Sequence, residues 1–233
     1  MQPPGSGLTR PSGQANVGRV TLSAEELLTT TRSVRRRLDF SRPVPGELLR
    51  ECVRVALQAP SASNRWSVQF VIVTEEGRRR ELGDAYREAY AAYKDSRGYI
   101  GKVDKGDGAL NEQQRRTTAS AEHLAENFHR APAIVLACSR GRVDGQPAFR
   151  AINLAASVHP AMWSFMLAAR LHGLGTCWTS VSLWNEARTA EIVGIPDGEV
   201  TICAITPVAY TIGNGFRPAL RPDPEEVIHW EVW

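Results

Sequence analysis

The chain is short of cysteine: its 233 residues contain only Cys52, Cys138, Cys177 and Cys203. None belongs to a CxxC pair or has metal-ligand spacing, so no disulfide framework or zinc site is expected. Each sits in an apolar run, and buried free thiols in a reducing compartment are the reading. No apolar run approaches the ~20 residues of a membrane span. The opening stretch MQPPGSGLTRPSGQANVGRV has no hydrophobic segment of the signal-peptide kind, which leads us to expect a cytoplasmic protein. Net charge is only +3, and arginine is scattered through the chain. Neither nucleic acid nor an acidic membrane surface is therefore an expected partner. The histidines (His123, His129, His159, His172 and His229) show no triad or metal pattern. No GxGxxG opens a βαβ unit, and the GNG at 213–215 is a lone fragment that does not define a dinucleotide site.

What is present is enough chain for one sizeable core. Residues 1–20 read as a mobile tail and 21–233 as a single domain. Ser23 with Glu26 is a capping box opening a short helix. GELLRECVRVALQAP carries apolar residues at helical spacing up to Pro60. Arg78 to Tyr93 reads as an amphipathic helix, 94–118 as a Gly-rich excursion or lid outside the core, and Ala119 to His129 as helix. Residues 151–172 form the most apolar helix, to be buried on all sides in a core or subunit interface. A further helix runs from Asn185 to Val193. Strands are expected at about 68–74, 133–138, 176–181 and 200–210, followed by an extended tail from Gly213. Helices and strands intermix, which favours an α+β or α/β sandwich around a central sheet.

Four segments invite a functional reading, and each has a structural one beside it. TTTRSVRRRLDF at 29–40 packs Arg32, Ser33, Arg35, Arg36 and Arg37 together. That is either a phosphate cradle of charge-assisted bonds or a solvated helix end with cations on its C-terminal dipole. APSASNRW at 59–66 is either an ordinary connection or a small-residue platform, with Asn64 reading a ring edge. LHGLGTCWTSV at 171–181 either buries a strand or presents Trp178, Thr179 and Ser180 at its edge. Arg217 and Arg221, on a proline-stiffened tail, either reach a bound anion or are surface charges.

In combination and order, these segments resemble the nitroreductase family. The resemblance rests on TRSVR (31–35), APSASN (59–64), AARLHGLGTCWTS (168–180) and RPALRPDP (217–224), and runs from about residue 23 to the end. It implies an α/β sandwich with a mainly antiparallel central sheet flanked by helices, and a homodimer with an extended C-terminal tail. It also implies FMN at the subunit interface. Arg32, Ser33 and Arg35 match the positions that hold the phosphate and ribityl chain. Pro60, Ser61, Ser63 and Asn64 match a segment delivered to the flavin, often from the other subunit. Trp178, Thr179 and Ser180 match the strand beside the ring, and Arg217 and Arg221 the tail cations near the phosphate, with no choice between those two. The first Arg of the family hallmark is Thr31 here, so one phosphate contact is missing or moved to Arg36. Trp66 stands where the family usually has Gln, which puts a hydrogen bond to the flavin edge in doubt.

In such an enzyme the flavin carries the redox chemistry, and no catalytic side chain is demanded. The expected reaction passes electrons from NAD(P)H to a small electron-poor acceptor, a nitroaromatic or quinone, in ping-pong order. The alternatives are a specialised flavin enzyme of the same fold, of dehalogenase or flavin-destructase type, and a non-catalytic flavin-binding or storage protein. Tyr86, Tyr90, Tyr93 and Phe128 either stack over the flavin from the lid, with Tyr90 and Phe128 meeting the substrate, or the tyrosines, at helical spacing, simply pack a helix. His123 lines the pocket or serves a surface or capping role.

Overall fold

The structure, a computed structural model, describes residues 20–196, 198–213 and 215–233. Apart from Val20, the expected N-terminal tail lies outside the described residues. The backbone N–H of Val20 donates to the Leu171 carbonyl at 2.8 Å. Helix α1 (Ala24–Thr30) opens on the expected capping box, with Ser23 and Glu26 reciprocally bonded. The remaining helices are α2 (Gly46–Ala56), α3 (Glu76–Asp95), α4 (Gly108–Asn127), α5 (Ala148–Leu171) and α6 (Glu186–Val193). The sheet comprises β1 (Leu38–Asp39), β2 (Val68–Val73), β3 (Ala133–Arg140), β4 (Leu174–Thr176) and β5 (Val200–Thr211). Its order is β1-β5-β3-β2, with β4 also on β5, and every strand pairing is antiparallel. The fold is thus the expected α+β arrangement, an antiparallel sheet with helices on both faces.

Strand β3 shows how the sequence divides the core. Ile134, Leu136 and Cys138 join one apolar cluster, with α3, α4 and α6. Ala133, Val135 and Ala137 join a second, with α2 and α5. That is the period of two that a sheet buried on both faces requires. On β5, Ile202 and Ile205 both face the first cluster although they are three residues apart. The register explains it: Ala137 pairs with Ala204 and Cys138 with Ile202, so Cys203 is the extra residue of a β-bulge.

Two expectations need correction. Residues 94–118 are not all excursion, because α4 starts at Gly108, capped by the Asp107 side chain on Leu110 N–H at 2.9 Å. Its N-terminal half, GALNEQQRRTT, is polar nearly all round, which hid the helical period. Tyr99, within the same stretch, is buried in the core. The strand expected at 176–181 is only Leu174–Thr176. Thr176 pairs with Val208 and Thr179 with Ile205, so in unbroken register Cys177 falls opposite Pro207. Proline has no N–H to give the ladder. The Cys177 N–H donates instead to Thr206 Oγ1 at 2.8 Å, and beyond Thr179 the chain curls into a 3-10 turn, Val181–Asn185.

Helix α5 fills the second cluster with Met162, Phe165 and Met166. A fully buried side chain of this size stabilises the fold by about 1.5–3 kcal/mol. Within this chain, however, α5 is not buried all round: Phe149 and Ile152 stand about two-thirds exposed (65% and 64%). Among the described residues no helix is long and apolar enough to cross a membrane.

Candidate flavin site

The arginine segment leaves α1 at Thr31 and runs alongside β4. Ser33 forms a parallel bridge with Thr176, and the Val34 N–H donates to the Thr176 carbonyl at 2.8 Å. Gly175 makes this close approach possible. A Cβ there would lie 2.8 Å from Thr211 Cγ2 and 3.0 Å from both Leu38 Cδ2 and Val34 Cβ. With Val34 and Leu38 buried, the backbone that carries the arginines is anchored to the sheet.

Those arginines do not act as one block. Arg32 is half-buried, and its proton affinity is lowered first by desolvation and then by the charge of Arg221. Arg35 reaches Ser120 Oγ on α4 at 3.4 Å, and Arg36 donates to the Ala119 carbonyl at 3.2 Å. Arg37 is drawn to the C-terminal segment instead, donating to the Ile212 carbonyl at 2.8 Å. Arg217 and Arg221 are both exposed, but Arg221 is the tail cation whose field reaches Arg32. Among the described residues no carboxylate forms an ion pair with Arg32, Arg35 or Arg221.

One cavity, of about 240 Å³, is lined by Arg35, Tyr86, Tyr90, Tyr93, Trp178, Thr179 and Ser180, among others. Arg35 therefore stands with the expected ring-side residues. Tyr86 and Thr179 share a buried hydrogen bond of 2.9 Å, and Tyr86 stacks on Phe128 with centroids 4.3 Å apart. Burial pushes the Tyr86 phenol well above its ordinary range, so it stays a neutral hydrogen-bonding wall. The Cys177 thiol, also in the wall, is raised by burial against a smaller opposing pull from Arg35. It stays protonated and is poorly suited to act as a nucleophile. Phe128 has no exposed surface, so its expected contact with substrate gives way to a supporting role behind Tyr86. His123 sits on α4 and lines neither cavity described here. Trp184 and Val181, not singled out from the sequence, complete the wall because the 3-10 turn places them there.

A second cavity, of about 280 Å³, holds the other expected residues: Pro60, Ser61 and Asn64, together with Trp66, Ser157 and Ala161. Its rim is strained, because Ser63, Asn64 and Trp66 all have φ near +53° (53°, 52° and 54°). Non-glycine residues rarely adopt that left-handed backbone without a surrounding structure that enforces it. Here Ser61 Oγ accepts from Trp66 N–H at 2.9 Å, Ser157 Oγ from Ala62 N–H at 2.9 Å, and Asn64 Oδ1 from the Trp66 indole at 2.6 Å. Ser63 itself is exposed and lines neither cavity. Helix α5 serves both cavities, with Ser157 and Ala161 lining this one and His159 edge-on to Trp178 of the other at 5.0 Å. Within a single chain, then, Ser61 and Trp178 belong to different cavities.

Among the described residues, no group of three or more His, Cys, Asp or Glu is placed to hold a metal ion. The fold and site define an antiparallel α+β protein whose arginine-bearing segment places Arg35 in the wall of an aromatic cavity. Residues 28–210 match the nitroreductase family, and the chain belongs to that family.

Solved structures share the fold. A nitroreductase-like family protein from Bacillus cereus is 21% identical, with a TM-score of 0.62 over 91% of this chain and 98% of that one. An FMN- and NADPH-dependent nitroreductase from Sphigopyxis sp. strain HMH is 22% identical, with a TM-score of 0.63 over 91% of this chain and all of that one (100%). An oxidized iodotyrosine deiodinase, solved bound to FMN and 3-iodo-L-tyrosine, is 20% identical, with a TM-score of 0.66 over 90% of this chain and 99% of that one.

Proposed function

We propose that this protein is an FMN-dependent oxidoreductase that takes electrons from NAD(P)H and passes them to a small electron-poor acceptor, a nitroaromatic or quinone. The observation that carries the reading is that Arg35, from the basic run, lines one cavity with Tyr86, Tyr90, Tyr93, Trp178, Thr179 and Ser180, and that among the described residues no carboxylate is ion-paired to Arg32, Arg35 or Arg221. The field of Arg221 reaches Arg32, and like charges within one another's field cost free energy unless an anion joins them. A phosphate dianion, with its charge-assisted bonds, fits that place. Ser33 adds a hydroxyl, and Arg35 extends positive charge to the mouth of the aromatic cavity. FMN, when bound, supplies the redox chemistry. The chain's part is to hold the phosphate with arginine, set Thr179 and Ser180 along the ring edge, and keep water out with Tyr86, Tyr90, Tyr93 and Trp178. Without a dinucleotide-binding motif, NAD(P)H and acceptor share one place and visit it in turn.

The protein works as a homodimer in this reading. Pro60, Ser61 and Asn64 face a cavity apart from Trp178, and a second copy is what brings that segment to the ring side of its neighbour. The exposed Phe149 and Ile152 of α5 supply apolar surface for such a contact. The four buried free thiols fit a reducing, cytoplasmic setting.

The first test is the visible spectrum of the purified protein. Flavin bands, with FMN released on denaturation, are expected; a colourless protein that takes up no added FMN refutes the cofactor assignment. Turnover of NADPH with a nitroaromatic, giving parallel primary plots, is expected next. A flavin-loaded protein that oxidises no NAD(P)H with any acceptor points to the specialised flavin chemistries or to flavin storage.

A further inference from the structure

Beyond β5 the chain turns at Gly213 (φ 71°) and meets two arginines from distant parts of the sequence. Arg37 donates from Nε to the Ile212 carbonyl at 2.8 Å and from Nη1 to the Gly215 carbonyl at 3.0 Å. Its guanidinium carbon lies 4.3 Å from the centroid of the Phe216 ring. Arg170, in the last turn of α5 and only 4% exposed, places its own guanidinium carbon 4.3 Å from the same centroid. The turn is built closely around Arg37, since a Cβ on Gly213 would lie 3.0 Å from Arg37 Nη2. Like charges so near each other repel, and the Arg170 guanidinium is lowered by burial first and by Arg37 second. An aromatic ring shared by the two cations offsets that repulsion, because its π face is negative.

From Phe216 only five positions of chain lead to Arg221, and Pro218 among them limits the backbone. The place of Phe216 therefore governs where Arg221 can stand. We infer that Phe216 is a positioning residue: its ring, held by Arg37 and Arg170, fixes the base of the C-terminal segment and so sets how near Arg221 comes to the basic run. The inference rests on the proposed role of Arg221 and that run in holding the FMN phosphate. It assigns Arg37 to the tail and not to the phosphate, although Arg37 belongs to the same basic run.

The experiment measures the FMN dissociation constant of the full-length protein by quenching of flavin fluorescence. The variants are Phe216→Leu, Phe216→Tyr, Arg221→Gln and the double variant Phe216→Leu/Arg221→Gln. Phe216→Leu keeps apolar bulk but loses the π face, and is expected to weaken FMN binding roughly tenfold, the scale of one desolvated cation–π contact. Phe216→Tyr restores binding to within about threefold of the parent. The double variant binds no more weakly than Arg221→Gln alone, because both changes remove the same contact. Without flavin, the NMR order parameters of the Arg217 and Arg221 amides fall in Phe216→Leu and those of the sheet are unchanged. Arg37→Gln, which breaks the bonds to Ile212 and Gly215, reproduces the effect if Phe216→Leu fails to fold. If Arg221→Gln weakens binding while Phe216→Leu does not, or if the two effects add, Phe216 does not position the tail and the phosphate reading stands. If Arg221→Gln binds as the parent does, the tail-cation reading fails and the inference falls with it.

Discussion

Arg32, just past the end of α1, and Arg221, in the C-terminal segment, stand near enough for the second to lower the proton affinity of the first. Residues from opposite ends of the described chain thus come within reach of one another's charge. Arg32→Gln and Arg221→Gln should each weaken FMN retention by about 10- to 150-fold, the worth of one hydrogen bond between charged groups. Neither should destabilise the flavin-free protein, since each removes a repulsion. Equilibrium dialysis and thermal unfolding of the same samples check both halves. Unchanged retention in Arg32→Gln sinks the phosphate assignment.

Gly175 lies where the arginine segment crosses the sheet. A methyl group there meets Thr211, Leu38 and Val34, two of the contacts being to buried apolar side chains. Gly175→Ala should cost about 1–3 kcal/mol through overpacking. For a chain of this size that lowers the melting temperature by about 2–12 °C, read by calorimetry. The same displacement moves Ser33 and Arg35 outward, so flavin affinity should fall along with stability. A variant as stable as the parent would show that the crossing has slack.

Much of this was legible in the sequence because the residues concerned act locally. The Ser23 capping box and the strand expected at 133–138 each depend on near neighbours, and both stand in the structure, the strand as Ala133–Arg140. The failures came where distant residues decide. Whether Thr176 to Val181 continues as strand depends on its partner, and that partner places Pro207 opposite Cys177. Pro207 was visible in the sequence, but its effect needed the register. The start of α4 carried only an aspartate cap and no apolar stripe. Of the arginine run, the sequence could not show that Arg37 serves the tail while Arg35 faces the aromatic cavity.

Trp66 stands where the resemblance leads us to expect glutamine, and its indole donates to Asn64 Oδ1 at 2.6 Å. Trp66→Gln releases that acceptor. Because Trp66 is 62% exposed, stability should change by no more than about 0.5 kcal/mol. Flavin affinity and the position of the visible bands should change measurably, since Asn64 is then free to turn toward a ring edge. Identical spectra and dissociation constants in parent and variant would separate Asn64 from the flavin.

Acid sensitivity should be traceable to His129. Its backbone and Cβ pack against Gly83, where an added Cβ would lie 2.4 Å from His129 Cβ, and its Nδ1 is buried with no hydrogen-bond partner. Desolvation, and then Arg87, hold the imidazole below its ordinary value. A histidine whose folded value is depressed binds its proton more readily when unfolded. Its contribution is therefore complete above the unfolded value of about 6.5 and is lost as pH falls through that value toward the folded one. Urea midpoints measured between about pH 7.5 and about pH 5 should decline in the parent, and less steeply in His129→Gln, which has no proton to take up. Equal slopes in the two proteins would place the acid sensitivity elsewhere, with His159, which burial also lowers, as the next group to replace.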